Sequence, residues 1–434
     1  MPAESRSPFP RRRPRPRSCS MCARASGSAS LEATRPLARG SGGVQSGSMN
    51  LGDLDIACLR ARRGEKWGTY PDDVLPLWVA DMDFPMAEPI QAVLRHALEN
   101  GDVGYPINPT PGGLPAVFAE RMRERFGWEL DPNRVEVLTD VVQGLYIALQ
   151  VYSKPGDGVI VQTPIYPPFL EAVHDMGRRV LTHELVAGDS GYEIDFDALR
   201  ASIDHGTRLL LLSNPQNPTG RAYTRAELEQ LAEIALENHL TVVSDEIHGD
   251  LVYPGHAHIP FATLGPEVEA QTVTLTSATK AFNIAGLRCA LAVFGSEGLQ
   301  DHFREVHRHI RGGLGSLGLQ ATEVAWREGQ PWLDEVMAYL EGNRAFLAEF
   351  LRERMPAIRH HPPEATYLAW LDCRPLGLDR PPYWFFLKRA KVALAYGKHF
   401  GECGKGFVRL NFATSRAILN EALERMAKAL QDAS

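Results

Sequence analysis

Leu209-Leu210-Leu211-Leu212-Ser213-Asn214-Pro215-Gln216-Asn217-Pro218-Thr219-Gly220, then Thr224-Arg225-Ala226-Glu227, then Thr241-Val242-Val243-Ser244-Asp245-Glu246, is the stretch on which the fold class turns. The leucine run is too short for a helix and ends in a polar turn, the pattern of a buried strand. Thr224 with Glu227 three positions later is a capping box, which predicts a helix running to about Asn238. Thr241–Ser244 is a second buried strand. Strand, helix and strand in that order make one crossover unit of a parallel sheet.

Outward from this unit the alternation continues. Short β-branched runs at Val135–Leu138, Val159–Gln162, Thr272–Leu275 and Leu291–Phe294 alternate with helical segments, so the chain is α/β with a mainly parallel sheet. Beyond about residue 330 the pattern becomes a long helix, a strand at Thr366–Leu371, a helix near Trp384–Ala390, a strand at Val408–Phe412 and an amphipathic helix from Ile418, read as a smaller α+β domain. The expected division is a leader at 1–48, a segment at 49–95 that packs with the small domain, a large domain at 96–329 and the small domain at 330–434.

Composition excludes several classes. A chain of 434 residues with 44% hydrophobic and 23% charged content is long enough for two domains with a substantial core. No apolar run reaches the roughly 18 residues of a membrane span, and the default location is cytoplasmic. Residues 1–48 hold nine Arg and two acids, a balance of +7, with Pro, Ser and Gly throughout and no apolar period. They are expected to be disordered or non-native, with Met49 a candidate true start. The remainder carries −14, which argues against nucleic-acid binding. The six cysteines show no disulfide framework, and no metal site is expected.

Three segments follow buried strands: Ser213–Gly220, Ser244-Asp245-Glu246-Ile247-His248, and Thr276-Ser277-Ala278-Thr279-Lys280-Ala281-Phe282-Asn283. In open α/β sheets ligands sit at the carboxyl ends of strands. An Asn, an Asp and a Lys delivered to one sheet edge can give a pyridinium cofactor its hydrogen bond, counter-charge and imine partner. Arg409, in the apolar run Val408-Arg409-Leu410-Asn411, needs an anion, because an unpaired buried guanidinium is costly.

The order N-P-x-N-P-T-G, S-D-E and S-x-[ST]-K resembles fold-type I pyridoxal-phosphate (PLP) enzymes of the class I/II aminotransferase group, from about Met49 to the C-terminus. The resemblance implies a PLP-dependent transferase-like fold with Lys280 holding the cofactor as a Schiff base and serving as the catalytic base. It assigns Asp245 to the pyridine nitrogen, Asn217 and His248 to the ring hydroxyl, and Tyr166 to the ring face. Val141 and Val142 at a helix start near Gly144, with Ser277 and Arg288, are implied for the phosphate. Tyr105 resembles the tyrosine that reaches a neighbouring subunit's phosphate, which implies a homodimer. Arg409, Val79 and Ala80 are implied for the amino-acid substrate.

The runs Leu77–Pro85, Gln162–Phe169, Ser244–Gly249 and Glu364–Asp372 are similar to the MalY/PatB group of cystathionine β-lyases and C–S lyases. That implies β-elimination on cystathionine or other cysteine S-conjugates, giving a thiol, pyruvate and ammonia. An aminotransferase is the alternative, since the same residues serve both fates. A non-catalytic regulator is a third reading, for which the leader is too short to be a fused DNA-binding domain. Tyr396 departs from the group; if it borders the pocket, it narrows the space for a distal side chain. Gly313-Leu314-Gly315-Ser316-Leu317-Gly318 fits G-x-G-x-x-G but follows a charged helical stretch, so a loop near the site is expected in place of a dinucleotide site.

Overall fold

The computed structural model describes residues 51–107, 113–188 and 191–433. The expectation for 1–48 lies outside the described residues. Seven strands build the larger sheet: β1 (Val135–Leu138), β2 (Gly158–Thr163), β3 (Arg179–Glu184), β4 (Thr207–Ser213), β5 (Thr241–Asp245), β6 (Thr272–Thr276) and β7 (Ala290–Phe294). Their order is β1-β7-β6-β5-β4-β2-β3. Strands β2 to β6 pair in parallel, and β7 runs antiparallel to both β6 and β1. Helices cover both faces, so β2 is buried along its whole length and β4 nearly so, which is why they read as unbroken apolar runs. The edge strand β3 is half exposed and was not expected.

Helix α1 (Val141–Tyr152) lies tightly on the sheet: a Cβ on Gly144 would stand 2.9 Å from Leu275 Cδ2 and 3.0 Å from Leu138 Cδ1. The helix starts at Val141, three residues ahead of the expected point, because Asp140 caps it through the Gln143 N–H. The capping box on α2 (Arg225–Glu237) forms as expected. The glycine-rich run is only partly loop: α3 (Ser316–Glu328) begins inside it, and a Cβ on Gly318 would stand 2.3 Å from the Leu287 carbonyl.

The smaller sheet holds β8 (Arg359–His360), β9 (Leu368–Asp372), β10 (Ala395–Tyr396) and β11 (Phe407–Asn411), all antiparallel in the order β8-β9-β11-β10. The long helix α4 (Gln330–Arg354) and the last helix α5 (Arg416–Gln431) bury Leu340, Leu347, Leu419 and Leu423 in the same apolar core as β9 and β11. The expected helix near Trp384 is a short turn at Pro382–Phe385 followed by a π-turn at Phe386–Ala390.

Two seams tie the smaller sheet and its surroundings to the rest of the chain. Leu75–Pro76 pairs in parallel with Val392–Ala393, and the Asn411 N–H donates to the Leu77 carbonyl at 2.9 Å. At the other seam the Gly220 carbonyl accepts from Glu364 and Ala365, both at 2.9 Å. Gly220 has φ +76°, and any Cβ there would stand 2.3 Å from Pro363 Cβ, so the approach requires glycine.

Candidate active site

Because β4, β5 and β6 are parallel, their carboxyl ends open on one edge. Asp245 ends β5, while Asn217 and Lys280 lie in the turns after β4 and β6. The second sheet brings Arg409 to the same place on β11: its Nη1 donates to Asn217 Oδ1 at 2.9 Å and its Nη2 to the Trp78 carbonyl at 3.0 Å.

Arg409 is 4% exposed, and Nε has no hydrogen-bond partner among the described residues. Phe400 lies under the guanidinium, 4.9 Å from the ring centroid. Burial lowers its pKa to about 10, against the pull of Tyr166 and Tyr367. No ion pair joins it to a described carboxylate, so an internal salt bridge does not account for it.

Asp245 is buried and accepts from the Ile247 N–H at 3.1 Å. Burial pushes its carboxyl up to about 7, and neighbouring Glu246 adds to the rise. His248 is 3% exposed with Nδ1 unpartnered, and burial lowers its pKa to about 3, with Lys280 and Arg409 acting in the same direction. Its ring meets Tyr367 edge-on at 6.3 Å.

Lys280 Nζ donates to the Ala80 carbonyl at 2.9 Å. Burial lowers its pKa and Arg409 adds to that, while Asp81 and Asp245 oppose it. Tyr166 caps the helix Pro167–Asp175 with its ring 36% exposed, and burial raises its pKa.

On the far side of this edge, Val141 and Val142 open α1, and Arg288 Nη2 pairs with Asp140 Oδ2 at 2.5 Å. A solvent-open depression of about 590 Å³ is lined by Thr139, Asp140, Val142, Gln143, Tyr146 and Arg288. The Ser277 hydroxyl is buried, donating to the Cys289 carbonyl at 2.6 Å and accepting from Thr279 N at 3.0 Å. Tyr105 is fully exposed.

The residues that hold the Trp78–Phe84 strap were not found from sequence. Tyr367 Oη joins Lys280 on the Ala80 carbonyl, Asn411 Nδ2 reaches the Val79 and Asp81 carbonyls at 2.7 Å each, and Asn283 Nδ2 reaches Met82 and Phe84. Arg62 donates to the Asp83 carbonyl and Lys66 to that of Asp81. One signal was available: Asn411 stands two residues after Arg409 on one strand and therefore shares its face. Tyr396 sits opposite Val408 in the β10–β11 register, with Ala395 opposite Arg409, so it lies on the other face and stacks on Tyr383 at 5.3 Å.

The family model for aminotransferase class I and II matches residues 72–426. Cystathionine beta-lyase PatB of Bacillus subtilis is 39% identical over 85% of this chain and 95% of its own length. A cystathionine beta-lyase of Corynebacterium glutamicum is 34% identical over 86% and 98%. Among solved structures, the PLP-bound C–S lyase of Staphylococcus hominis superposes with a TM-score of 0.83 at 30% identity, covering 89% of this chain and 99% of that one. Family match, identity and shared architecture agree, and the chain belongs to the class I and II aminotransferase family, within its MalY/PatB group.

Proposed function

We propose that the chain is a pyridoxal-phosphate-dependent carbon–sulfur β-lyase acting on cystathionine or other cysteine S-conjugates. The observation that carries this reading is the convergence of Lys280, Asp245, Asn217 and Arg409 on one sheet edge, in a chain 39% identical to a cystathionine beta-lyase. The side chains present suit that cofactor. Among the described residues, Asp245 is a buried carboxyl with a single N–H donor, and His248 Nδ1 and Arg409 Nε are buried polar atoms without a partner. Such groups call for a ligand that offers an N–H and an anion.

In this reading Lys280 holds the aldehyde, Asp245 the ring nitrogen, Asn217 and His248 the ring hydroxyl, and Tyr166 the ring face. The amides of Val141 and Val142, with Ser277 and Arg288, take the phosphate. The bound cofactor supplies an electron-withdrawing ring that stabilises negative charge on the substrate α-carbon. Arg409 grips the α-carboxylate bidentately, and the amides of Val79 and Ala80 orient it. Once the substrate's amino group has replaced it at the aldehyde, the Lys280 amine, its pKa lowered by burial, would take the α-proton, and the β-thiolate would then depart.

Tyr105 is fully exposed, and Leu98, Val103 and Ile107 around it are exposed apolar side chains, which supports a second copy of the chain covering this surface and completing the phosphate site. No described helix is long and apolar enough to cross a membrane; we place the enzyme in the cytoplasm. The deciding experiment incubates purified protein and PLP with L-cystathionine, and separately with an amino acid and a 2-oxoacid. Pyruvate and ammonia in equal amounts without an acceptor support the lyase; turnover only with the oxoacid makes it an aminotransferase.

A further inference from the structure

Next to Asp245, Glu246 anchors a polar cluster that no step above uses. Glu246, 5% exposed, accepts from Ser244 Oγ at 2.8 Å and the Phe261 N–H at 2.9 Å through Oε1. Its Oε2 lies 3.0 Å from His258 Nε2. A carboxylate and an imidazole at that distance share one hydrogen, which leaves Nδ1 for another partner.

That nitrogen is buried without a partner among the described residues, and so are Trp128 Nε1 and Thr274 Oγ1. All three residues line one partly open cavity of about 20 Å³, whose wall also includes Glu246, Ile247 and Ser277. A cavity holds a water when it has roughly 10–15 Å³ and two to four polar partners. A water seated there would have the indole N–H, His258 Nδ1 and the Thr274 hydroxyl as its partners. The wall is continuous with the cofactor edge, since the Ile247 N–H binds Asp245 and Ser277 belongs to the turn that carries Lys280.

We propose that this cavity binds one structural water which, with Glu246 and His258, forms a buried positioning relay fixing the Asp245 turn. Its link to catalysis rests on the function proposed above; the water site does not. His258 is a positioning residue that acts through Glu246. The relay is built to close tolerance: a Cβ on Gly249 would stand 2.8 Å from His258 Cδ2 and 2.9 Å from Nε2.

The test is a crystal structure of the PLP-loaded protein at about 1.8 Å or better, where an ordered water is expected within hydrogen-bond distance of all three atoms. An empty cavity overturns the proposal whatever the enzyme's reaction. Alongside, His258→Leu is expected to weaken PLP retention and lower kcat by about tenfold each, with substrate KM unchanged within about twofold, the scale of loss when an outer hydrogen-bond partner is removed. His258→Gln keeps a donor for Glu246 and should recover most of the PLP affinity and the visible absorbance band. Should His258→Leu fail to fold, Gly249→Ala displaces the ring while keeping every relay side chain, and the same losses are expected. Unchanged PLP affinity and spectrum in a folded His258→Leu or Gly249→Ala protein would refute the relay.

Discussion

Lys280 and Tyr367 donate to one and the same carbonyl, that of Ala80, each at 2.9 Å. The amine proposed to hold the cofactor is thus docked on the strap proposed to orient the substrate, and a phenol from the other sheet secures the same point. When the amine moves to a ligand, Tyr367 still holds Ala80.

Tyr367→Phe should therefore leave PLP binding intact while costing about 1 kcal/mol of stability, the net value of one buried hydrogen bond, and raising substrate KM severalfold. Denaturant melts and steady-state kinetics check this. A KM equal to that of the parent protein would mean that the other contacts to the strap, those of Asn411 and Asn283 among them, hold it without Tyr367.

Lys280→Ala should abolish the visible band that PLP gives with the parent protein and reduce turnover by about a thousandfold or more, within the range for loss of a general base. Absorption spectra with added PLP and pyruvate release read both effects.

For Arg409→Ala, substrate capture is expected to fall by about a hundredfold, because a charge-assisted bidentate contact is lost. Asn217 Oδ1 loses its donor at the same time, so PLP affinity should slip only modestly. Equal damage to KM and to PLP affinity would assign the arginine a structural role.

Asp245 gives a pH signature. Its folded pKa, about 7, lies above the ordinary 3.8, so the folded chain retains a proton that the unfolded chain releases. Raising the pH from about 4 to 7 therefore destabilises the cofactor-free protein, by an amount on the order of 4 kcal/mol. Cofactor-free Asp245→Asn should be more stable than the parent at pH 8, with the gap closing toward pH 4, while losing activity. Denaturant unfolding at several pH values measures this, and a gap that widens toward acid pH would contradict it.

Asp83 and Lys66 form a buried ion pair at 3.0 Å, and Trp67 Nε1 donates to Asp83 Oδ1 at 2.6 Å. Asp83→Ala leaves the ammonium uncompensated and should cost about 3–5 kcal/mol. Lys66→Met with Asp83→Ala should recover part of that loss in a double-mutant cycle.

Much of the larger sheet was legible because β2, β4, β5 and β6 are buried on both faces and read as short runs rich in β-branched residues and Leu. Strand β3 escaped notice because Arg179 and Glu184 are exposed on an edge with no apolar alternation. The α1 start was misplaced because its cap, Asp140, precedes two valines that suit a strand as well as a helix. Lys280, Asp245 and Asn217 could be found because they end or follow strands. The grip on Trp78–Phe84 could not, since it is made on backbone carbonyls, which carry no residue signature. Glu246 and His258 are twelve positions apart, and only the turn between them brings the imidazole back to the carboxylate.

The strap also alters what counts as the minimal enzyme. A chain beginning after Phe84 would retain every group named for gripping the cofactor and the whole seven-stranded sheet. It would lack the lining against which Lys280, Arg409 and Asn411 are seated, leaving those side chains to hydrate. A stretch without regular secondary structure is what turns an exposed shelf into a sheltered reaction chamber.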